Sequence, residues 1–290
     1  MLVAALRQRI LDLAIRGKLV PQCPEDGTAE ELYRQILQEK NKLIAAGKLK
    51  KEKPLTPISE DKIPFDIPDS WKWVRLGELL FKLTDGTHRT PKYCNSGVPF
   101  LSVKNISNGL LNFSETKFIS EEEHRELCIR CKPERGDILL SKVGTTGVPA
   151  IVDTDIEFSV FVSVALLKFS PQLVNRVYLY YLLKSPLVQR QAKENTRGVG
   201  NKNWVLDAIT NTVVVLPPLA EQQRIVEKVG ALFAELDAIE QSQEKVAAIQ
   251  GELNKRILER AIQGKLVPQR PEEGTAEDLY QQIQKEKKKL

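Results

Sequence analysis

The chain has 290 residues, of which 42% are hydrophobic and 28% are charged, so it can bury a sizeable core beneath a well-solvated surface. Its net charge of +5 permits nucleic-acid binding without requiring it. The sequence has no apolar run long enough to span a membrane, no signal-peptide pattern and only four scattered cysteines. These features exclude membrane and disulfide-rich secreted classes and predict a cytoplasmic protein.

An internal repeat frames the chain. Residues 9–43 read RILDLAIRGKLVPQCPEDGTAEELYRQILQEKNKL, and residues 256–290 read RILERAIQGKLVPQRPEEGTAEDLYQQIQKEKKKL, with 25 of the 35 paired positions identical. In each copy, the sequence predicts an amphipathic helix that ends at a glycine, a loop after a proline, and a second helix capped by threonine. The predicted segments are an N-terminal helical repeat (1–50), a linker (51–70), a central domain (71–218), a spacer helix (219–263) and the second repeat (264–290).

The central segment has the texture of a mixed domain. Short β-rich runs alternate with turn signals such as Asn108-Gly109 and Arg135-Gly136, and one helix is predicted over residues 177–193. Strands are predicted at 98–103, 137–141, 150–152, 158–169 and 212–216. The predicted fold class is therefore α+β, with one mixed domain of about 145 residues and long helices built from both ends of the chain.

The segment after Pro217-Pro218 predicts one long helix, because no proline follows until Pro268. Apolar residues recur there at alternating steps of three and four, with Gln243 and Gln250 in two of the positions. This spacing is typical of a coiled-coil seam. It favours an antiparallel, coiled-coil-like arrangement with the N-terminal helix, acting as a spacer or dimerisation rod, over a hairpin that merely closes a domain.

Several motifs resemble those of the specificity subunits of type I restriction-modification enzymes. Leu216-Pro-Pro-Leu-Ala-Glu-Gln-Gln-Arg-Ile-Val226 resembles the segment that closes a target-recognition domain, and Trp73-Val-Arg-Leu-Gly-Glu78 resembles the segment that opens one. Gly136-Asp-Ile-Leu-Leu-Ser-Lys-Val-Gly-Thr-Thr-Gly147 resembles its central strand and glycine turn. The doubled GKLVPQ segment resembles the flanking helical repeats, so the resemblance covers nearly the whole chain.

The resemblance implies a non-catalytic subunit that reads double-stranded DNA. Family members carry two recognition domains, each reading one half of a bipartite site, and dock methyltransferase (M) and restriction/translocase (R) subunits. This chain has one such domain, so it is either a half-length form or a truncated chain. Its repeat predicts a head-to-tail homodimer that would read a palindromic split site. No cofactor is predicted.

Three loop regions carry side chains suited to base edges and phosphates. They lie at residues 84–93, at residues 104–105 together with 142–146, and at residues 197–204. The candidate DNA-contacting residues are Thr87, His88, Arg89, Lys92, Lys104, Asn105, Lys142, Thr145, Thr146, Arg197, Asn201, Lys202 and Asn203. Each loop alone is better explained as a solvated surface loop, and their meeting on one face is a hypothesis.

Other chemistry has weaker support in the sequence. The turn between Gly144 and Gly147 lacks the ending of a phosphate loop, and Cys128-Ile-Arg-Cys131 lacks the second pair typical of a zinc site, so no metal is predicted. Acidic residues at 153–157 could mimic a metal-dependent nuclease cluster, although an exposed hairpin is favoured. The alternative function is a coiled-coil assembly adaptor that does not read DNA.

Overall fold

A computed structural model describes residues 2–51, 53–198, 202–268 and 270–289. The candidate residue Asn201 lies outside these described residues. The chain forms two compact units, residues 1–234 and residues 235–290. The five segments predicted from the sequence stay a prediction.

The first repeat folds as two helices with the predicted signals at their ends. Helix α1 spans Leu2–Ile15 and is followed by Gly17, whose φ of 67° is the left-handed conformation that glycine adopts without strain. Helix α2 spans Ala29–Ala45. The Thr28 hydroxyl accepts a hydrogen bond from the Glu31 amide while the Glu31 carboxylate accepts one from the Thr28 amide, so the predicted capping box is present.

The described residues between 72 and 216 form three small sheets connected by short helices. Strands β1 and β9 pair antiparallel, the order β2-β8-β5-β6 forms an antiparallel four-stranded sheet, and the order β4-β3-β7 includes one parallel pair, β3 with β7. The strands are β1 (Lys72–Arg75), β2 (Lys82–Asp85), β3 (Val98–Leu101), β4 (Lys117–Ile119), β5 (Ile138–Ser141), β6 (Pro149–Ile151), β7 (Ser159–Val160), β8 (Val164–Lys168) and β9 (Val213–Leu216). The helices between them are α3 (Leu76–Leu79), α4 (Glu121–Arg130), α5 (Arg176–Lys184), α6 (Pro186–Asn195) and α7 (Leu206–Thr210).

The four-stranded sheet is buried on both faces. Leu140 and Leu167 pack into the main core with α5, whereas their neighbours Leu139 and Leu166 pack into a second core around Phe158. This double burial explains why β5 and β8 are continuous apolar runs without polar alternation. The predicted α+β class is confirmed.

Two predicted elements are divided in the structure. The single helix expected over 177–193 is two helices, because Ser185 takes an extended backbone and Pro186 starts α6 without an amide to continue α5. The strand expected over 158–169 is also two strands, β7 and β8, which belong to different sheets. A turn at residues 161–163 separates them, closed by the Val164 amide donating to the Phe161 carbonyl at 3.0 Å.

A buried carboxylate, that of Glu221, connects the first repeat to Trp71, the residue that precedes β1. Glu221 is 1% exposed and accepts hydrogen bonds from the Trp71 indole, at 2.8 Å, and from the Gln22 amide. Arg224 lies three residues after Glu221 on the long helix that begins at Leu219. It pairs with Asp26 and donates to the Pro21 carbonyl. Burial raises the pKa of Glu221, and the hydrogen bonds from Trp71 and Gln22 oppose that rise. These contacts hold the first repeat against the start of the long helix that begins at Leu219.

Helix α8 spans Leu219–Ile262 and confirms the predicted long helix, with 44 residues and a length of about 66 Å at 1.5 Å per residue. In the first unit, its residues Ile225 and Val229 are buried in the main core. In the second unit, the helix is followed by Gly264, with φ of 65°, and by helix α9 (Ala276–Lys287). Thr275 and Asp278 form a capping box like that of the first copy.

Among the described residues, no helix combines the length and hydropathy needed to cross a bilayer.

Replacing Trp71 by phenylalanine removes the indole donor from the buried Glu221 carboxylate. We expect this variant to lose about 1–3 kcal/mol of unfolding free energy, because a buried acceptor is left underpaired. Urea denaturation checks the loss. Trp73→Phe is the matched control, because Trp73 packs on the Phe65 ring and its indole donates to no side chain or carbonyl in the described part of the chain. Equal losses in both variants would contradict the role assigned to Glu221.

Candidate nucleic-acid interface

The first loop leaves β2 at Asp85 and is held against β7. The Thr87 amide donates to the Val160 carbonyl at 3.1 Å, and the Val162 amide donates to the Thr87 carbonyl at 2.9 Å. Gly86 lies so close to this backbone that an added Cβ would be 1.9 Å from the Val160 oxygen. Only glycine therefore permits this approach, which fixes where His88 and Arg89 emerge.

The second loop is the turn between β5 and β6. Gly144 and Gly147 have φ of 80° and 85°, and the Gly147 amide donates to the Ser141 carbonyl at 2.8 Å. The predicted tight glycine turn is therefore present. Thr145 is exposed and Thr146 half-buried at its tip.

The third loop is closed by its own backbone. Arg197 and Asn203 exchange two main-chain hydrogen bonds, of 3.0 and 2.8 Å, and the neighbouring Trp204 is fully buried as an anchor. The side chains of Arg197 and Lys202 are exposed. Main-chain bonds and one buried ring thus hold the two described ends of the loop, and the Arg197 and Lys202 side chains lie at the surface.

Hydrogen bonds join the second loop to the third. The Trp204 amide donates to the Lys142 carbonyl at 2.8 Å, and the Gly144 amide donates to the Lys202 carbonyl at 3.0 Å. The Thr146 and Thr196 hydroxyls lie 3.5 Å apart. Loops that are about 60 residues apart in the sequence are therefore direct neighbours.

A buried ion pair joins the second loop to the first. The Lys142 ammonium lies 3.0 Å from the Asp85 carboxylate, and their side chains are 5% and 3% exposed. Burial disfavours the charged form of Asp85, but hydrogen bonds from Arg130, Lys142 and His88 outweigh it and hold its pKa below the ordinary value. Lys142 was predicted to contact DNA. Its burial instead gives it a structural contact with Asp85.

The segment around Lys104 joins the same group through Ser163. The Ser163 carbonyl accepts from the Lys142 amide at 2.9 Å, and its hydroxyl accepts from the Val103 amide at 3.1 Å. Asn105 is buried, and its side-chain amide closes the local turn by bonding Ser102 and the Asn112 carbonyl. Lys104 is exposed and lines a cavity of about 500 Å³. Of these two candidates, Asn105 is therefore buried and Lys104 is the one at the surface.

Of the described candidates, three are buried and shape the site from beneath: Thr87, Asn105 and Lys142. The remaining nine are exposed or half-buried, namely His88, Arg89, Lys92, Lys104, Thr145, Thr146, Arg197, Lys202 and Asn203. The structure thus brings the three predicted loop regions into one connected group. Whether their side chains contact DNA stays a prediction.

Helix α4 belongs to this group, although the sequence pattern did not place it there. Glu126 pairs with Arg89 at 2.9 Å, Glu123 accepts from the Lys92 amide at 3.1 Å, and Arg130 pairs with Asp85. A signal for the helix was present, since Ser120 followed by three glutamates is a typical helix start.

The CxxC pair lies at the end of α4. Burial raises the pKa of the Cys131 thiol to about 12 and also raises that of Cys128, so both stay protonated at neutral pH. Within the part of the chain that the structure describes, no group of three or more histidine, cysteine, aspartate or glutamate residues is arranged to hold a metal ion.

A family pattern and the relatives found by comparison with known proteins point to the same family. The pattern described as "Type I restriction modification DNA specificity domain" matches residues 68–248. The chain is 28% identical over 338 residues to the type I restriction enzyme EcoAI specificity subunit of Escherichia coli, covering 99% of this chain and 56% of that protein. It is also 28% identical over 350 residues to the EcoEI specificity subunit of the same organism, with the same coverage. The chain therefore spans about half the length of these relatives.

Two solved structures share the fold at 20% sequence identity. One is a chain from a structure described as the structural basis underlying complex assembly and conformational transition of the type I R-M system, with a TM-score of 0.57 over 91% of this chain and 58% of that one. The other is the HsdS subunit from Thermoanaerobacter tengcongensis, with a TM-score of 0.51 over 91% and 57%. Because the family pattern matches more than half of the sequence, the chain belongs to the type I restriction-modification DNA specificity family.

Proposed function

We propose that this chain is a sequence-specific, non-catalytic DNA-recognition subunit that reads one half of a bipartite site in double-stranded DNA. The observation that carries the proposal is the junction of the three loops through Lys142, which bonds Asp85 on one side and the Trp204 backbone on the other. This junction places exposed arginine, lysine and threonine side chains on neighbouring loops. Such side chains supply both phosphate contacts and base-edge contacts.

We further propose that catalysis belongs to partner subunits. The relatives of this chain are named specificity subunits of type I restriction enzymes, and one structural neighbour is described in terms of complex assembly. By analogy, this chain docks a methyltransferase subunit and a restriction/translocase subunit, which act where the chain positions them.

A head-to-tail homodimer is proposed from the distal part of α8. Along the predicted seam, Ile239 is 46% exposed, Val246 and Leu253 are each 54% exposed and Ile257 is 41% exposed. A heptad seam of this kind is stable only when another helix covers it. A second copy supplies an identical seam in the opposite direction.

The second repeat also exposes the face that the first repeat buries. Ile15 is 2% and Leu32 is 6% exposed, whereas their repeat equivalents Ile262 and Leu279 are 87% and 59% exposed. Nearly identical sequences therefore bury this face in one copy and leave it open in the other. This asymmetry supports a protein partner for the second repeat, and we assign it to the paired chain.

DNA recognition is tested with the chain bound to its cognate methyltransferase. We expect the complex to bind its methylation motif far more tightly than unrelated duplexes, and the combined variant Arg197→Ala, Lys202→Ala, Asn203→Ala to weaken this preference. Removing one phosphate-binding side chain should reduce the steepness of log affinity against log salt by about 0.9. Fluorescence anisotropy at several salt concentrations measures both effects.

The matched control for DNA binding is Arg135→Ala, because Arg135 precedes β5 at the end of the strand away from Lys142 and pairs with exposed Asp155. This control should bind DNA like the unchanged chain. Tight methyltransferase binding without any sequence preference would instead establish the alternative function, a coiled-coil assembly adaptor.

The homodimer is tested by placing a charge in the seam. We expect Val246→Glu to convert a dimer into a monomer, because two carboxylates would be buried against an apolar seam. Analytical ultracentrifugation of the chain alone gives the mass. Ala248→Glu is the control, since residue 248 lies off the seam and should leave the dimer intact. An unchanged chain that sediments only as a monomer at all concentrations would contradict the proposal.

A further inference from the structure

The cluster around Asp85 contains an arginine that lies outside the three loops. Arg130, the last residue of α4, has a side chain that is 56% exposed and contacts Asp85. We propose that Arg130 reads a guanine base in the half-site and that Asp85 is its positioning residue. The inference rests on the proposed DNA-recognition function and names a residue that determines specificity.

The guanidinium of Arg130 is held at two points. Its Nε donates to the Asp85 carbonyl at 3.3 Å, and its Nη2 donates to the Asp85 carboxylate. The same Nη2 lies 3.4 Å from the His88 ring. Two bonds to one residue fix the plane of the guanidinium fork, which is the requirement for bidentate recognition of a base edge.

Asp85 is itself immobilised from the opposite side. Its second carboxylate oxygen accepts from the buried Lys142 ammonium at 3.0 Å, and its backbone lies in the β2–β8 ladder. The carboxylate is therefore a rigid support, and the arginine that it orients is attached to a rigid part of the domain. Support of this kind is what a specific contact needs to keep its geometry.

Arg130 borders an open cavity suited to a base edge. The cavity has a volume of about 430 Å³ and is lined by Thr87, His88, Arg89 and Arg130, together with residues of α4 and β7. The Nη1 group has no hydrogen bond among the described residues. Arginine donors of this kind match the O6 and N7 acceptors of guanine in the major groove.

The charge balance favours a base over a phosphate. Asp85 carries one negative charge beside two cations, Lys142 and Arg130, so the carboxylate reduces the attraction of Arg130 for an anion. A guanine edge is uncharged and depends on the direction of the donors, which Asp85 fixes. A phosphate contact would depend mainly on net charge, which Asp85 lowers.

The test compares variants in complex with the cognate methyltransferase. Methylome sequencing of expressing cells gives the motif, and competition binding uses duplexes in which each guanine of that motif is replaced by adenine. Arg130→Ala should reduce discrimination at one guanine position by roughly 5- to 150-fold and leave the other positions unchanged. Arg130→Gln should shift preference at that same position towards adenine.

A control variant and a variant of the positioning residue distinguish a loss of folding from a loss of guanine discrimination. Arg125→Ala is the control, because Arg125 is exposed on the same helix, where its Nε bonds the Glu121 carbonyl. The double variant Asp85→Leu, Lys142→Met removes the side-chain acceptor without leaving a buried lysine charge unpaired, and it keeps the main-chain bonds of residue 142 to Ser163 and Trp204. It should lose discrimination at the same guanine as Arg130→Ala, a result that a general loss of structure would not produce.

The outcomes separate this inference from the proposed function. If the unchanged complex shows no motif, the DNA-recognition function fails. If a motif exists but Arg130→Ala retains full discrimination at every guanine, the inference alone is overturned. A uniform loss of affinity with no change at any position would assign Arg130 to a phosphate and would also overturn it.

Discussion

The buried ion pair between Asp85 and Lys142 determines how the candidate site is assembled. Asp85 is the last residue of β2, Lys142 directly follows β5, and each starts a loop, so one contact joins two loops. Separating such a pair leaves an unpaired charge in the interior, which costs several kcal/mol. The main-chain bonds from Lys142 to Ser163 and Trp204 then extend the same junction to two further segments. The site is therefore organised from beneath its surface.

A second buried carboxylate, Glu221, has the same organising role for the helical repeat. It joins Gln22 of the first repeat, Trp71 just before β1 and the start of α8. A repeat placed by specific hydrogen bonds has one defined position, whereas apolar packing alone tolerates small shifts. The two carboxylates thus fix the loops and the repeat to the same domain core.

The sequence predicted the elements with strong local signals. The capping box at Thr28, the glycine conformations at Gly17 and Gly144 and the long helix α8 follow from short-range rules, and the structure contains all of them. Whether a polar side chain is exposed depends on distant partners. Lys142 and Asn105 therefore resembled DNA-contacting residues but are buried, and the contact of Arg130 with Asp85 was not predicted because the two residues are 45 positions apart in the sequence.

The way the third loop is closed bears on the proposed DNA-recognition function. Its closure depends on main-chain bonds between residues 197 and 203 and on the buried Trp204 ring. None of these constraints depends on which side chains face the solvent. Substitutions at Arg197 or Lys202 can accordingly alter chemical preference without refolding the loop. Under the proposed function, such a loop lets new target preferences arise by single exchanges on an unchanged scaffold.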